Sequence, residues 1–160
     1  MNKTYLLLGS NMGDSRLQLS TAIKNISMVI GEIIDSSSLY STKAWGNTDQ
    51  PDFLNQVIVV NTSLAAQEVL STILEIESRM GRVRTIKNAP RVIDIDILFF
   101  NEEIINQNNL KIPHPEIENR RFVLVPLNQL APHFQHPVSK ENMQTLLLNC
   151  PDLLEVKEVL

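Results

Sequence analysis

The sequence predicts an α+β sandwich, an antiparallel sheet with two helices packed on one of its faces. Three observations carry that reading. Apolar segments follow the order strand–helix–strand and then strand–helix–strand again. Two long segments repeat their apolar residues at helical spacing, and all five glycines fall at the boundaries between segments. This is the split βαβ order of ferredoxin-like sandwiches, and it leaves the far face of the sheet free to carry a site.

Thr4 to Leu8 is an apolar run that reads as the first strand and ends in Gly9-Ser10-Asn11. A helix is expected from Ser15 to Ile30, with Leu19, Ile23, Ile26 and Ile30 on one face and Gly31 as its C-terminal cap. One strand is expected over Glu32 to Ser41, then a polar loop from Thr42 to Asp52, then a strand through Gln56–Asn61. The second helix runs from Ala65 to Met80, with Val69, Ile73, Ile76 and Met80 on its apolar face and Gly81 as its cap. A basic loop leads into the strand Arg91–Phe99. Beyond Asn101 the pattern suggests a hairpin around Ile104-Ile105 and Leu110–Ile112, a proline-bracketed turn, and a short helix over Val123 to Leu130.

A chain of 160 residues, 43% apolar, is expected to form one domain over 1–160 with a real core. Its net charge of −4 argues against a general nucleic-acid binder. Cys150 is the single cysteine, so no internal disulfide framework exists and a reducing compartment is expected. No apolar run reaches membrane-spanning length, and the segment before Gly9 is too short for a signal peptide. A cytoplasmic monomer without a membrane or nucleic-acid partner is the expectation.

The most informative stretch is Arg91-Val92-Ile93-Asp94-Ile95-Asp96-Ile97-Leu98-Phe99. Strict alternation puts Ile93, Ile95 and Ile97 on one face and Asp94 and Asp96 on the other, about 6.5 Å apart along the strand. Asp is depleted in strands because its short side chain competes with the ladder, and two like charges on one face repel unless a cation lies between them. Such hard oxygen ligands suit Mg²⁺, particularly when substrate phosphates complete the shell. Arg82, Arg84 and Arg91, with Lys87 between them, crowd the approach, as a metal–polyphosphate site requires.

Other constellations are weaker alone. Gly9–Asp14 lies between strand and helix but lacks the Gly-Lys-Ser/Thr of a Walker A loop, and a tight turn with a helix cap explains it as well. Phe53 and Asn55 close the polar loop, where a ring could stack on a planar ligand and an amide read its edge; ordinary core packing is the rival reading. Trp45, the only tryptophan, lies in the same loop. His114 stands between Pro113 and Pro115, its backbone restricted, close before Asn119-Arg120-Arg121-Phe122. His133 and His136 have no carboxylate or cysteine at metal-ligand spacing and read as surface or turn residues.

Taken together, Asp49–Asn55, Gly81-Arg82-Val83-Arg84, Pro90–Ile97, and Pro113-His114-Pro115 with Asn119-Arg120 resemble the 6-hydroxymethyl-7,8-dihydropterin pyrophosphokinases, over nearly the whole chain. The resemblance implies transfer of an intact pyrophosphoryl group from ATP to the pterin hydroxymethyl, with release of AMP. It implies two Mg²⁺ ions on Asp94 and Asp96, with Arg82 and Arg91 as catalytic groups over the phosphates. It further implies nucleotide contacts from Glu77, Arg84, Ile97, Lys111, His114 and Arg120. The pterin would lie between Phe53 and Phe122, read by Asn55, Thr42 and the segment Ala44, Trp45 and Gly46. Asn88-Ala89 replace the Trp-Gly pair that family members often carry before this proline, and Arg121 and Trp45 stand where smaller or aliphatic residues are common. Loops 9–14, 42–52 and 82–90 are expected to close over the ligands. Two rival readings are a non-catalytic sensor on the same scaffold and a nucleotidyltransferase, which would release pyrophosphate.

Overall fold

The computed structural model describes residues 1–43, 49–82 and 91–159. Among the described residues eight strands and four α-helices follow one another as β1 (Asn2–Ser10), α1 (Ser15–Val29), β2 (Gly31–Ser36), β3 (Leu39–Thr42), β4 (Phe53–Thr62), α2 (Ala66–Arg79), β5 (Asp94–Phe100), β6 (Ile105–Gln107), β7 (Leu110–Ile112), α3 (Arg121–Leu130), α4 (Met143–Leu148) and β8 (Val156–Val159). The main sheet has the order β5-β1-β4-β3-β8, with β2 also on β4, and every pairing is antiparallel. Because β2 and β3 occupy successive halves of one β4 edge, the four positions follow the ferredoxin-like order the sequence predicts.

Helix ends follow local chemistry. Asp14 caps α1 by accepting the Leu17 N–H at 3.2 Å. Glu68 reaches back to the Ala65 N–H at 2.9 Å at the start of α2. Gly81 follows α2 at φ +90°, the left-handed turn expected of it. Gly31 has a different role from the helix cap the pattern suggests. It opens β2, where a Cβ would come within 1.9 Å of the Asn61 carbonyl oxygen, so the strands approach too closely for any side chain.

The strand expected over Glu32–Ser41 is two strands. Ser37 breaks it because its hydroxyl accepts the Val57 N–H at 3.0 Å, a donor the ladder would otherwise use. Helix α4, strand β8 and a 3₁₀ turn at Ile117–Asn119 were not expected. They are short, and β8 makes its ladder with β3 at the sheet edge, so periodicity had little to register.

Helices α1 and α2 pack on one face, as predicted. Leu19, Ala22 and Ile26 of α1 and Val69, Ile73 and Ile76 of α2 meet Leu6, Leu8, Ile58, Val60, Ile95 and Ile97 of the sheet. The opposite face is not wholly open. Tyr5, Leu7, Val57, Val59 and Phe99 form a second core with Val123, Leu124 and Leu127 of α3 and Met143 and Leu146 of α4. A β-bulge supports this arrangement: between Tyr5 and Leu6 the β5 partner steps from Phe99 to Ile97, leaving Leu98 as the extra residue. Leu98 and Phe99 therefore both enter the second core, while Phe100 turns to the first. Before the bulge, Asp94 and Asp96 lie on the second face, beyond the reach of that core.

Candidate active site

Where the α3–α4 layer ends, the sheet floors a cavity of about 340 Å³. Strand alternation selects the floor. On β5, Asp94 and Asp96 stand opposite Gly9 and Leu7 of β1. Gly9 in turn faces Asn55 of β4, and Thr42 of β3 faces Phe53. Arg82 comes from the end of α2, Arg91 from the approach to β5, His114 from the turn after β7, and Arg120 and Phe122 from the start of α3. All of these line one volume, together with Lys43.

One wall is electrostatic. The Arg82 Nη1 donates to Glu77 Oε2 at 2.5 Å and to Asp94 Oδ1 at 2.6 Å, and Arg91 Nη1 donates to Asp94 Oδ2 at 3.1 Å. Burial alone would lower the Arg82 pKa, but Asp94 and Glu77 outweigh it and raise the value, so the guanidinium stays charged. Glu77, 2% exposed, also accepts the Ile95 N–H at 2.8 Å, tying the arginine to the β5 backbone. Asp96 is in a different state. Desolvation, then the charges of Asp94 and Glu77, raise its pKa to about 7, despite the opposing arginines 82 and 120. Negative charge around Asp96 is thus incompletely balanced by Arg82 and Arg120.

That imbalance tests whether a metal ion suits the pair. Among the described residues no cluster of three or more His, Cys, Asp or Glu side chains gathers for a metal. Asp94 and Asp96 are two hard oxygen donors beside a cavity, and the rest of a shell would come from substrate phosphate and water. This donor set fits a divalent cation of the Mg²⁺ kind.

His114 is fixed at both ends. Its main-chain N–H donates to the Leu98 carbonyl at 3.0 Å, and its Nδ1 accepts the Glu116 N–H at 3.1 Å. Desolvation and then Arg120 lower its pKa. The neutral ring therefore carries its proton on Nε2. The other wall presents aromatic rings and a side-chain amide. Asn55 is buried and donates to Thr42 Oγ1 at 3.0 Å. Gly9 lies flush beneath it, since a Cβ there would come within 2.9 Å of Asn55 Oδ1 and 3.7 Å of the Phe53 ring. Phe122 has the Arg120 guanidinium 5.9 Å from its ring centre.

Thr42, Phe53, Asn55, Arg82, Arg91, Asp94, Asp96, His114, Arg120 and Phe122, all singled out from the sequence, meet here. Three others do not reach the cavity wall. Ile97 is one, its side chain turned by alternation into the α1–α2 core. Lys111 is another, since it sits exposed on the β6–β7 hairpin with Nζ 2.8 Å from Asn106 Oδ1. Glu77 stands behind Arg82, where any effect on a nucleotide passes through the guanidinium. Ala44, Trp45, Gly46 and Arg84 lie outside the described residues, as do Lys87, Asn88 and Ala89.

Leu7, Gly9 and Lys43 line the cavity without having been singled out as site residues. The two-residue period extended back from Gly9 along β1 would have found Leu7. His133 is exposed as expected, whereas His136 is buried, its Nδ1 accepting the Val138 and Ser139 N–H groups. That makes His136 a turn-locking residue away from solvent.

A ferredoxin-like sheet bearing a carboxylate pair, arginines and a neutral histidine on one side of a cavity, and aromatic and amide groups on the other, places the chain among proteins suited to a polyphosphate beside a flat ring. Residues 5–132 match the 7,8-dihydro-6-hydroxymethylpterin-pyrophosphokinase (HPPK) family, and the chain belongs to that family. A 2-amino-4-hydroxy-6-hydroxymethyldihydropteridine pyrophosphokinase of Aquifex aeolicus is 40% identical over 144 residues, 90% of this chain and 89% of that protein. The folic acid synthesis protein FOL1 of Dictyostelium discoideum is 38% identical over 151 residues, 94% of this chain but 23% of that protein. A crystal structure of a Plasmodium falciparum HPPK-DHPS superposes over 92% of this chain and 43% of its own, with a TM-score of 0.77 at 20% identity, and so shares the fold.

Proposed function

We propose that this protein transfers the pyrophosphoryl group of ATP intact to the hydroxymethyl oxygen of 6-hydroxymethyl-7,8-dihydropterin, in folate biosynthesis. The observation that supports this most directly is a cavity that brings the Asp94/Asp96 pair and the arginines opposite Phe53, Asn55 and Phe122. In the reaction the hydroxymethyl oxygen bonds to the β-phosphorus and loses its proton. The bond between the β-phosphorus and the α,β-bridging oxygen breaks, and AMP leaves with that oxygen.

Such transfers depend mostly on positioning and on neutralising phosphate charge. Asp94 and Asp96 would hold Mg²⁺, two ions on the family pattern. Bound there, Mg²⁺ supplies charge neutralisation along the phosphates and a lowered pKa for the attacking hydroxyl. Arg82 and Arg91, already charged and aimed at the same carboxylate, serve the β- and γ-phosphates. Arg120 and the Nε2–H of His114 donate to the nucleotide, and Arg84 is assigned there by family pattern. Phe53 and Phe122 enclose the pterin ring, Asn55 reads its amide edge, and Thr42 holds Asn55 in orientation. Ala44, Trp45 and Gly46 complete the pterin side on the same pattern. No described helix is long and apolar enough to cross a membrane; a cytoplasmic monomer fits the composition.

The test is product analysis on purified protein with Mg²⁺, ATP and the pterin, nucleotides resolved by chromatography. AMP appearing only with pterin present, and lost in Asp94→Ala and Asp96→Ala, is the expected result. ADP would mean single-phosphoryl transfer, and free pyrophosphate a nucleotidyltransferase. Pterin binding without turnover would make the protein a sensor.

A further inference from the structure

Asn11 lies just past the end of β1, is 2% exposed, and is not part of the cavity wall. Its main-chain N–H donates to the Arg91 carbonyl at 3.1 Å, and its Oδ1 accepts the Arg91 N–H at 2.9 Å. Its Nδ2 donates to Gln50 Oε1 at 2.7 Å and to the Pro51 carbonyl at 3.0 Å. One side chain thus ties together segments 39 to 80 residues away from it. The two ends have different duties. Arg91 lies three positions before Asp94 and pairs with it, so it belongs to the phosphate wall. Pro51 lies two positions before Phe53, so it sets the start of the ring wall.

We propose that Asn11 is a positioning residue that couples the binding of the two substrates. Ordering Gln50–Pro51 against a bound pterin orders Arg91 through the Asn11 amide, and a nucleotide on Arg91 orders the pterin wall by the same route. Each ligand then meets a partner already partly ordered, which makes binding cooperative without requiring a large movement. Asparagine suits the position because it combines an acceptor with two donors on a short stem. Aspartate retains the acceptor for Arg91 but has nothing to give Gln50 and Pro51. The inference rests on the site assignment proposed above.

The experiment measures pterin affinity with and without a non-hydrolysable ATP analogue and Mg²⁺, and the reciprocal pair, in wild type, Asn11→Ala, Asn11→Asp and Gln50→Leu. The expected wild-type enhancement is about tenfold, equal in both directions by linkage. In Asn11→Asp and Asn11→Ala the ratio is expected to fall to near one, with Gln50→Leu between. Asn11→Asp keeps a hydrogen-bonding side chain of the same size, so it reports even if Asn11→Ala does not fold. A purely structural role would lower Tm and weaken both ligands while leaving the ratio intact. That outcome, or a wild-type ratio of one, overturns the proposal. Phe53→Ala is the control: unchanged pterin affinity there would instead overturn the placement of the ring wall.

Discussion

Gly9 illustrates how much one missing side chain decides at the residue scale. It sits in β1 between Asp94 and Asn55, with Asn55 Oδ1 2.9 Å and the Phe53 ring 3.7 Å from where a Cβ would stand. A methyl group there displaces the Asn55 amide, on the side of the cavity proposed to take the pterin, while the Phe53 ring stays in ordinary contact and the phosphate wall is left alone. Gly9→Ala is therefore expected to weaken pterin binding by about tenfold or more, equivalent to about 1.4 kcal/mol, and to leave ATP-analogue binding within about twofold. Titration calorimetry with each ligand alone checks this; equal loss for both would mean that Gly9 serves the whole sheet end. At this scale the sequence was most legible where chemistry is strange for its context. Two aspartates alternating with isoleucines are costly in a strand, and that cost exposed the site. Gly9 and Asn11 were not legible in the same way, since their value depends on atoms 39 or more positions distant.

The elements were readable wherever a period was sustained. Helices α1 and α2 and strands β1, β4 and β5 all run through their predicted segments. Errors arose where one group competes with the ladder or where the backbone itself is crowded. Ser37 divides β2 from β3 by taking the Val57 N–H, a bond that no local pattern reveals. Gly31 looks like a helix cap yet opens a strand against Asn61. Gly31→Ala places its methyl in the backbone of β4, and the clash cannot be relieved by a rotamer change. A loss of about 3 kcal/mol, at the upper end of overpacking costs, is expected from urea denaturation. Gly81→Ala is the companion measurement. Among the described residues no atom lies within 4 Å of its Cβ position, so the cost expected is that of the left-handed φ, about 1 kcal/mol. Equal losses in the two variants would contradict the crowding account.

For the whole molecule, the site is paid for in pH-dependent stability. The folded chain holds a proton on Asp96 up to about pH 7, where the ordinary value is 3.8. The unfolded chain has released that proton well below pH 7. The stability this group contributes is therefore full at pH below about 4 and is lost as pH rises toward 7. A divalent cation on Asp94 and Asp96 favours the ionised form, and ionisation of Asp96 is complete only above pH 7. Mg²⁺ is thus expected to raise Tm more at pH 8 than at pH 6, and Asp96→Asn to abolish that difference. Thermal scans at both pH values check it; the same Mg²⁺ shift at each would show that Asp96 is not the titrating ligand. His114 opposes this within the same range. Its lowered pKa means that stability falls as pH drops below the ordinary 6.5.

What the sequence by itself determined was the alternation of elements and the chemical kinds at the site: carboxylates on a strand, arginines before it, a proline-bracketed histidine, an aromatic with an amide two residues on. Those features are local, because side-chain period and propensity act over a few neighbouring residues. What only the tertiary structure decided was which of them share a cavity. The Leu98 bulge sets where the second core stops and the carboxylates begin. Burial puts Glu77 behind Arg82 and Ile97 in the opposite core, and the Asn11 amide joins two distant walls. Such facts depend on register, packing and desolvation between segments far apart in the chain, and no window of sequence contains both partners.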